Sequence, residues 1–291
     1  MSDINPWKYV KVDPDSVKNN PYLNPKKKDV EPKATAKEPS QSPVKVFSKS
    51  PVKVFSKDDF LVLEDLVCTD AEGNEFERYD KLYVRKDVER NNANQVNFTP
   101  YQAIVHFESQ NHFLPSFALS CNILAALYAD KSNPESNAVL MQYKDMGNGY
   151  GWQAQNTVVK WNKGKGEVIH YPYDSDFPNN GGSDNVNQGK RHSLDFKVKG
   201  FGDMKLEETL KNKHFNTYIK NLTGLPNPEI LVEIGDYFSK PAKVWVPSNV
   251  GNVATTRASW LGCYYDNFYL YTDDFLINVS AARGVLFGEP R

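Results

Sequence analysis

The sequence predicts an α+β domain behind a flexible N-terminal arm, and three features of the chain carry that expectation. Short runs of β-branched and aromatic residues alternate with turn signals, two segments carry helix starts with apolar spacing behind them, and the first fifth of the chain has neither pattern. Residues 1–57 are rich in Lys, Pro, Ser and Asn and hold 12 Lys against 6 Asp or Glu, so they read as a basic, flexible arm. Within the arm Ser42-Pro43-Val44-Lys45-Val46-Phe47-Ser48-Lys49 is followed at once by an identical copy, Ser50 to Lys57. Each copy alternates apolar and polar residues and suits either an added edge strand or a duplicated linker. Trp7, Tyr9 and Tyr22 are the arm's candidate docking anchors.

The domain is expected over 58–291. Phe60-Leu61-Val62-Leu63 and Leu82-Tyr83-Val84 read as strands around an Asp70–Asn74 turn containing Gly73. Thr99 followed by Pro100 opens a helix over Tyr101 to Glu108, with Thr99 as N-cap. Ser116 to Ala129 reads as a second helix, with Leu119, Ile123, Leu124 and Leu127 on its apolar face. From Met141 to Phe196 the density of Gly, Asn, Asp and aromatics predicts long irregular loops, anchored by short strands at Trp152, Val158-Val159 and Val168-Ile169. Leu206 to Leu222 reads as one further helix, and Lys243 to Val246 and Ala282 to Leu286 as late strands.

Charge and cysteine usage exclude several classes of function. The arm carries +6 and the remainder, with 23 basic and 30 acidic residues, −7, so a nucleic-acid partner is not expected. Cys68, Cys121 and Cys263 are far apart and lack zinc spacing, so neither a disulfide framework nor a structural zinc is expected. No apolar run reaches membrane-spanning length and the first residues lack the apolar core of a signal peptide, so membrane insertion and ordinary secretion are not expected.

The segment most informative about function is Gly262 to Ser280. Its nineteen residues hold six Tyr or Phe and five Asp or Asn, yet no Lys, Glu, Gln, Met or Trp. Those five types make up a fifth of the chain, so about four are expected in such a window. Codon arithmetic supplies a cause: when the adenines of AAC codons are replaced at random, the residues out of reach include these five. The competing reading is a buried β-rich segment that lacks long polar residues. Against it, Asp266, Asn267, Asp273, Asp274 and Asn278 fit a core strand badly.

Two motifs bracket this region. Arg257-Ala258-Ser259-Trp260 precedes it and Ala282-Arg283-Gly284-Val285 follows it; upstream lies Pro100-Tyr101-Gln102-Ala103, then Phe113-Leu114-Pro115-Ser116, then Leu124-Ala125-Ala126-Leu127. In this combination and order the chain, over roughly residues 97 to 287, resembles the variable proteins of diversity-generating retroelements, with Phe113 and Ser116 standing where that family has Arg and Thr. The resemblance implies a C-type lectin-like fold of the formylglycine-generating-enzyme type, with a variable region over about 249–285. It implies a receptor-binding protein at a viral tail-fibre tip, facing a host-surface protein or glycan. It also implies a virion or tail-fibre protein as the arm's partner, and a homo-oligomer. A cell-surface adhesin of the same fold and an enzyme of the formylglycine-generating type are the alternatives.

The ligand-binding residues expected on this reading are Tyr264, Tyr265, Asp266, Asn267, Tyr269, Tyr271, Asp273, Asp274, Phe275, Ile277 and Asn278, joined by Asn249 and Asn252. Tyrosines offer large, rigid contact area and Asx residues adaptable hydrogen bonds. Phe268 and Leu270 are expected inward, and Trp260, Leu261, Ala282 and Val285 are expected to pack as fixed flanks. Catalysis is not expected: the formylglycine-generating enzymes use a pair of reactive cysteines near the C-terminus, and only Cys263 lies there. No Ser-His-Asp order or Gly-rich phosphate loop emerges either. His106 and His112, six apart, read as helix-surface residues rather than metal ligands. Asp174, Asp176 and Asp184 with Gly181-Gly182 have the composition of a calcium loop but not EF-hand spacing, and read first as an Asx-rich turn cluster. No cofactor is expected, a calcium ion at the Asp174–Asp184 turn being the alternative.

Overall fold

The computed structural model describes residues 56–89, 98–144, 151–162, 165–172, 189–195, 202–246, 255–274 and 280–286. The tandem octapeptide, the arm's aromatic residues and the Asp174–Asp184 cluster lie outside them.

Strands β1 (Phe60–Thr69) and β2 (Glu75–Arg85) form an antiparallel hairpin. Its turn is fixed by the Asp70 carboxylate, which accepts the backbone N–H groups of Glu72 (3.0 Å) and Asn74 (2.8 Å), while Gly73 takes φ +86°. Helix α1 (Pro100–Glu108) begins in a capping box, Thr99 Oγ1 accepting from the Gln102 N–H and Gln102 Oε1 from the Thr99 N–H. Helix α2 (Phe117–Ala129) is capped by Ser116. Leu119, Ile123, Leu124 and Leu127 are fully buried, and so are Phe117, Ala118 and Cys121 on its other sides, which makes it the central helix of the domain.

The strands expected at Trp152, Val158-Val159 and Val168-Ile169 are present, and the irregular loops expected around them from Met141 to Phe196 are corrected where the residues are described. Met141 lies in helix α3 (Pro134–Lys144), and strands β3 (Gly151–Asn162), β4 (Lys165–His170) and β5 (Lys190–Asp195) pair in register. A register shift in β3 between Ala154 and Val158 accommodates Gln155, Asn156 and Thr157, which are buried. After β6 (Gly202–Lys205), the single helix expected over Leu206 to Leu222 is two: α4 (Leu206–Leu210) and α5 (Lys213–Thr223). Asn212 breaks them, because its side chain accepts the His214 N–H and caps the second. Helix α6 (Ile230–Tyr237), β7 (Ala242–Val246), β8 (Thr255–Tyr264), β9 (Asn267–Asp274) and β10 (Val285–Leu286) follow. The strand expected over Ala282 to Leu286 is only two residues long; Ala282 makes an isolated bridge to Glu89.

The result is an α+β fold on a curled seven-stranded sheet, ordered β5-β4-β3-β8-β9-β7-β6. All its pairs are antiparallel except β7 with β9. A smaller sheet, β1-β2-β10, joins the two ends of the domain. One face of the large sheet, through Val159, Leu261, Cys263, Phe268 and Leu270, packs into a core shared with helices α2, α3, α5 and α6. The opposite face, through Ala154, Val158, Ala258 and Trp260, packs against Phe98 and α1. Helix α1 covers β3 and β8 on that face only in part.

The sequence following the aromatic segment is among the most deeply buried. Arg283 is 1 % exposed, donating to the carbonyls of Arg85 and Lys86 (2.8 Å) and to Gln142 Oε1 (2.8 Å), with its guanidinium over the Tyr143 ring. Gly284 lies on Phe107 so closely that a Cβ there would sit 2.6 Å from a ring carbon. Both Ala282 and Val285 are fully buried.

Histidine 170 is also fully buried. Its Nε2 faces the Asn221 carbonyl (3.0 Å) and its Nδ1 the Thr157 hydroxyl (2.9 Å), which itself accepts the Phe117 N–H. These partners suit a neutral ring with its proton on Nε2, and burial, reinforced by nearby His192, holds the pKa down to about 3. Between pH 6.5 and 3 the unfolded chain therefore binds a proton that the folded chain refuses. Stability is full above that window and is lost as pH falls through it, by about 1.4 kcal/mol per unit from this group. The urea midpoint is expected to drop steadily below pH 6.5, and His170→Gln to flatten the slope by nearly one proton. A second expectation concerns the close approach at Gly284. Gly284→Ala is expected to cost about 1–3 kcal/mol in urea denaturation, because the fully buried Phe107 ring has nowhere to move.

Candidate functional site

Strands β8 and β9 form a hairpin with a two-residue turn, Tyr265-Asp266, closed by the Tyr264–Asn267 pair. The segment as far as Asp274 is thus β structure, but not a core strand. Along β9 the side chains alternate as a half-exposed strand requires: Phe268, Leu270 and Thr272 are buried, while Asn267, Tyr269, Tyr271 and Asp273 stand on the other face. Of the Asx residues that fit a core badly, Asn267 and Asp273 stand on outward positions and Asp266 in the turn.

On that outward face the rings do not stand apart. Trp152 of β3 lies against Tyr264 (centroids 5.2 Å), Tyr271 (4.9 Å, edge-on) and Tyr269 (5.7 Å, planes within 14°). The register explains how strands that are not neighbours bring their rings together. Trp152 pairs with Gly262, and Gly262 pairs with Tyr269, so the middle strand of the three has no side chain at that level. Tyr269 and Trp152 lean towards each other across the gap and stack. Gly262 also has φ +145°, a conformation that favours glycine.

Charged groups rim the cluster. The Lys243 ammonium lies 5.7 Å from the Tyr269 ring centroid, and the Tyr269 hydroxyl is hydrogen-bonded to the Asp203 carboxylate. Burial raises the Asp203 pKa, against the opposing pull of Lys243 and Tyr269. Arg257 Nε donates to Asp273 Oδ1 at 3.1 Å, and burial raises the Asp273 pKa despite that partner. Arg257 and Asp273 are partly buried and bridge to each other, whereas Asp203, acted on by the charge of Lys243, is exposed at the edge of the face.

Each end of the hairpin is clamped to β3. Ser259 Oγ donates to the Thr157 carbonyl (2.7 Å), Ser280 Oγ to the Trp152 carbonyl, and the Ala154 N–H to the Ala281 carbonyl (2.9 Å). The flanks expected to be fixed, Trp260, Leu261, Ala282 and Val285, are all buried. Of the expected contact residues, Tyr264, Asn267, Tyr269, Tyr271 and Asp273 come together on one face, and Tyr265 and Asp266 form its edge at the turn. Asp274 ends β9. Phe275, Ile277, Asn278, Asn249 and Asn252 lie outside the described residues.

Trp152, Asp203 and Lys243 join the face although the sequence did not single them out as contacts. They lie 19 or more residues from the segment, and only strand order brings them to it. Trp152 alone carried a signal, as an aromatic among Gly and Asn, and it was assigned to anchoring a strand.

Other chemistry-bearing groups are sealed in the core. Glu77, 2 % exposed, accepts hydrogen bonds from Tyr171 Oη (2.6 Å), Tyr79 Oη (2.8 Å) and Ser116 Oγ (3.3 Å), and burial raises its pKa. Cys68, Cys121 and Cys263 are free and buried, and burial pushes the thiols of Cys68 and Cys121 well up. His112 corrects its expectation: it lies beyond the end of α1 and is buried, with burial and Arg85 lowering its pKa to about 4. His106 contacts Glu89 Oε2 at 2.5 Å, and Arg85 binds the other Glu89 oxygen. Among the described residues no three His, Cys, Asp or Glu side chains converge as a metal site.

No family model, curated protein or solved structure matches the chain. The stack across Gly262 is testable without a ligand. Gly262→Val is expected to weaken the near-ultraviolet circular dichroism of the Trp152 cluster and to cost about 1–3 kcal/mol, from the side chain's φ and the separated rings. An unchanged near-ultraviolet spectrum would show that the stack does not depend on the gap.

Proposed function

We propose that this chain is a ligand-binding protein of C-type lectin-like fold, diversified by a retroelement and carried at the tip of a viral tail fibre to bind a host-surface receptor. The observation that carries the proposal is the alternation along β9. Where the strand faces the core it holds Phe268, Leu270 and Thr272; where it faces out it holds Tyr, Asn and Asp. A segment built to vary on a stable scaffold needs that division, since changes on the outward face leave the core packing intact. The clamps at Ser259 and Ser280 and the buried flanks support the same reading, because a pre-ordered surface loses less entropy on binding.

The deciding experiment is to sequence the DNA beside the gene. A near-copy of the codons for roughly Asn249 to Val285 is expected there, with a reverse transcriptase gene. The two copies are expected to differ at adenines, with differences concentrated at codons 264–267, 269, 271 and 273 and sparse at 268, 270 and 272. Absence of such a copy would sink the diversification reading and leave a fixed adhesin surface.

A further inference from the structure

Among the described residues Tyr265 is the most exposed large hydrophobic side chain, at 64 %. It also has φ +48°, at the first position of a two-residue hairpin turn. Glycine is the unstrained residue at such a position, and a bulky aromatic there is an outlier. Neither feature stabilises the fold: the ring buries little area and the backbone is in a costly region. Strain that the surrounding structure holds in place is the kind found at ligand contacts.

The surroundings do hold it. Lys240 Nζ donates to the Tyr265 carbonyl at 2.6 Å, and the Tyr264 ring meets the Tyr265 ring edge-on at 4.3 Å, passing the contact back to Trp152. Beside the ring, Asp266 is exposed, and no cation among the described residues forms an ion pair with it. The other carboxylates of the face, Asp203 and Asp273, already have Lys243 and Arg257 beside them. The tip thus offers one immobilised, accessible aromatic ring and one exposed carboxylate that makes no ion pair among the described residues.

We infer that the Tyr265–Asp266 tip is the leading contact of the binding face and that it receives an arginine side chain of a protein partner. A guanidinium is planar, lies over an aromatic ring, and bonds a carboxylate in a fork, so a single arginine satisfies both groups at once. A lysine supplies the charge without the fork or the flat face. A sugar fits less well, because the inner rings present few free faces: Tyr269 has Trp152 stacked on it and the Lys243 ammonium near it. This inference rests on the reading of the hairpin as a binding surface, but not on how that surface arose.

The test uses the full chain and two variants, Tyr265→Gly and Asp266→Asn. Each is measured by biolayer interferometry against dense surfaces of a Gly-Ser peptide bearing two arginines, the same peptide with two lysines, and a maltooligosaccharide. Density matters, since a single contact is weak and linked contacts raise the effective concentration. The arginine surface is expected to bind best, and either variant to lose tenfold or more. Tyr265→Gly is at the same time expected to melt about 2 °C higher, because it releases the strain. A role in folding alone would not combine higher stability with lost binding. Arginine binding equal to lysine binding, arginine binding untouched by both substitutions, or Tyr265-dependent binding of the sugar would each overturn the inference. None of these bears on diversification, which the neighbouring DNA tests separately.

Discussion

A guanidinium taken out of water must find acceptors for its donors, and Arg283 finds them for its two terminal nitrogens in distant parts of the chain, while its buried Nε has none. It donates to the carbonyls that end β2 and to Gln142 on α3, and its plane lies over Tyr143. Burial lowers its pKa, yet an arginine remains protonated, so the charge cannot be discarded and the partners cannot be dispensed with. The C-terminal stretch is therefore held between the β1–β2 hairpin and the helical layer. Gly284 adds contact with Phe107 of α1, and Val285 pairs with both Val84 and Phe113.

That closure determines what the aromatic hairpin can be. The hairpin enters through β8, with Trp260 and Leu261 on opposite faces of the sheet, and the chain returns past β3 through Ser280 and Ala281. Fixed at both ends, β9 shows one row of side chains to the core and the other to the outside. A face held this way keeps its shape whatever stands on the outward positions, within the limits of the turn and of the gap at Gly262. At its rim Arg257 pairs with Asp273 and Lys243 acts on Asp203, while Asp266 at the turn makes no ion pair with any of the described residues.

The sequence showed the ends of this arrangement better than its middle. Thr99-Pro100, Ser116 and the Asp70–Asn74 turn are local devices in which a side chain answers a backbone group within four residues, and each was legible. Phe268 and Leu270 were legible as inward because a strand's period is two. Trp152 and Val158-Val159 were legible as strand positions, but the continuous β3 that joins them was not, since its buried Gln155 and Thr157 are answered by Ser120 and by Ser259, up to about a hundred residues away. The break between α4 and α5 turned on one asparagine, Asn212, which continues a helical pattern as readily as it caps one.

Of the binding face, the sequence by itself determined the chemistry: tyrosines and Asx residues in a segment depleted of long polar side chains, between flanks that had to be buried. Only the tertiary structure decided which side chains meet. Trp152 and Tyr269 lie more than a hundred positions apart and touch because a glycine on the strand between them leaves room. Composition and local spacing are carried by neighbouring residues, and so can be read from the chain. Strand order and register arise from burying the whole sheet at once, and no short stretch of sequence contains them.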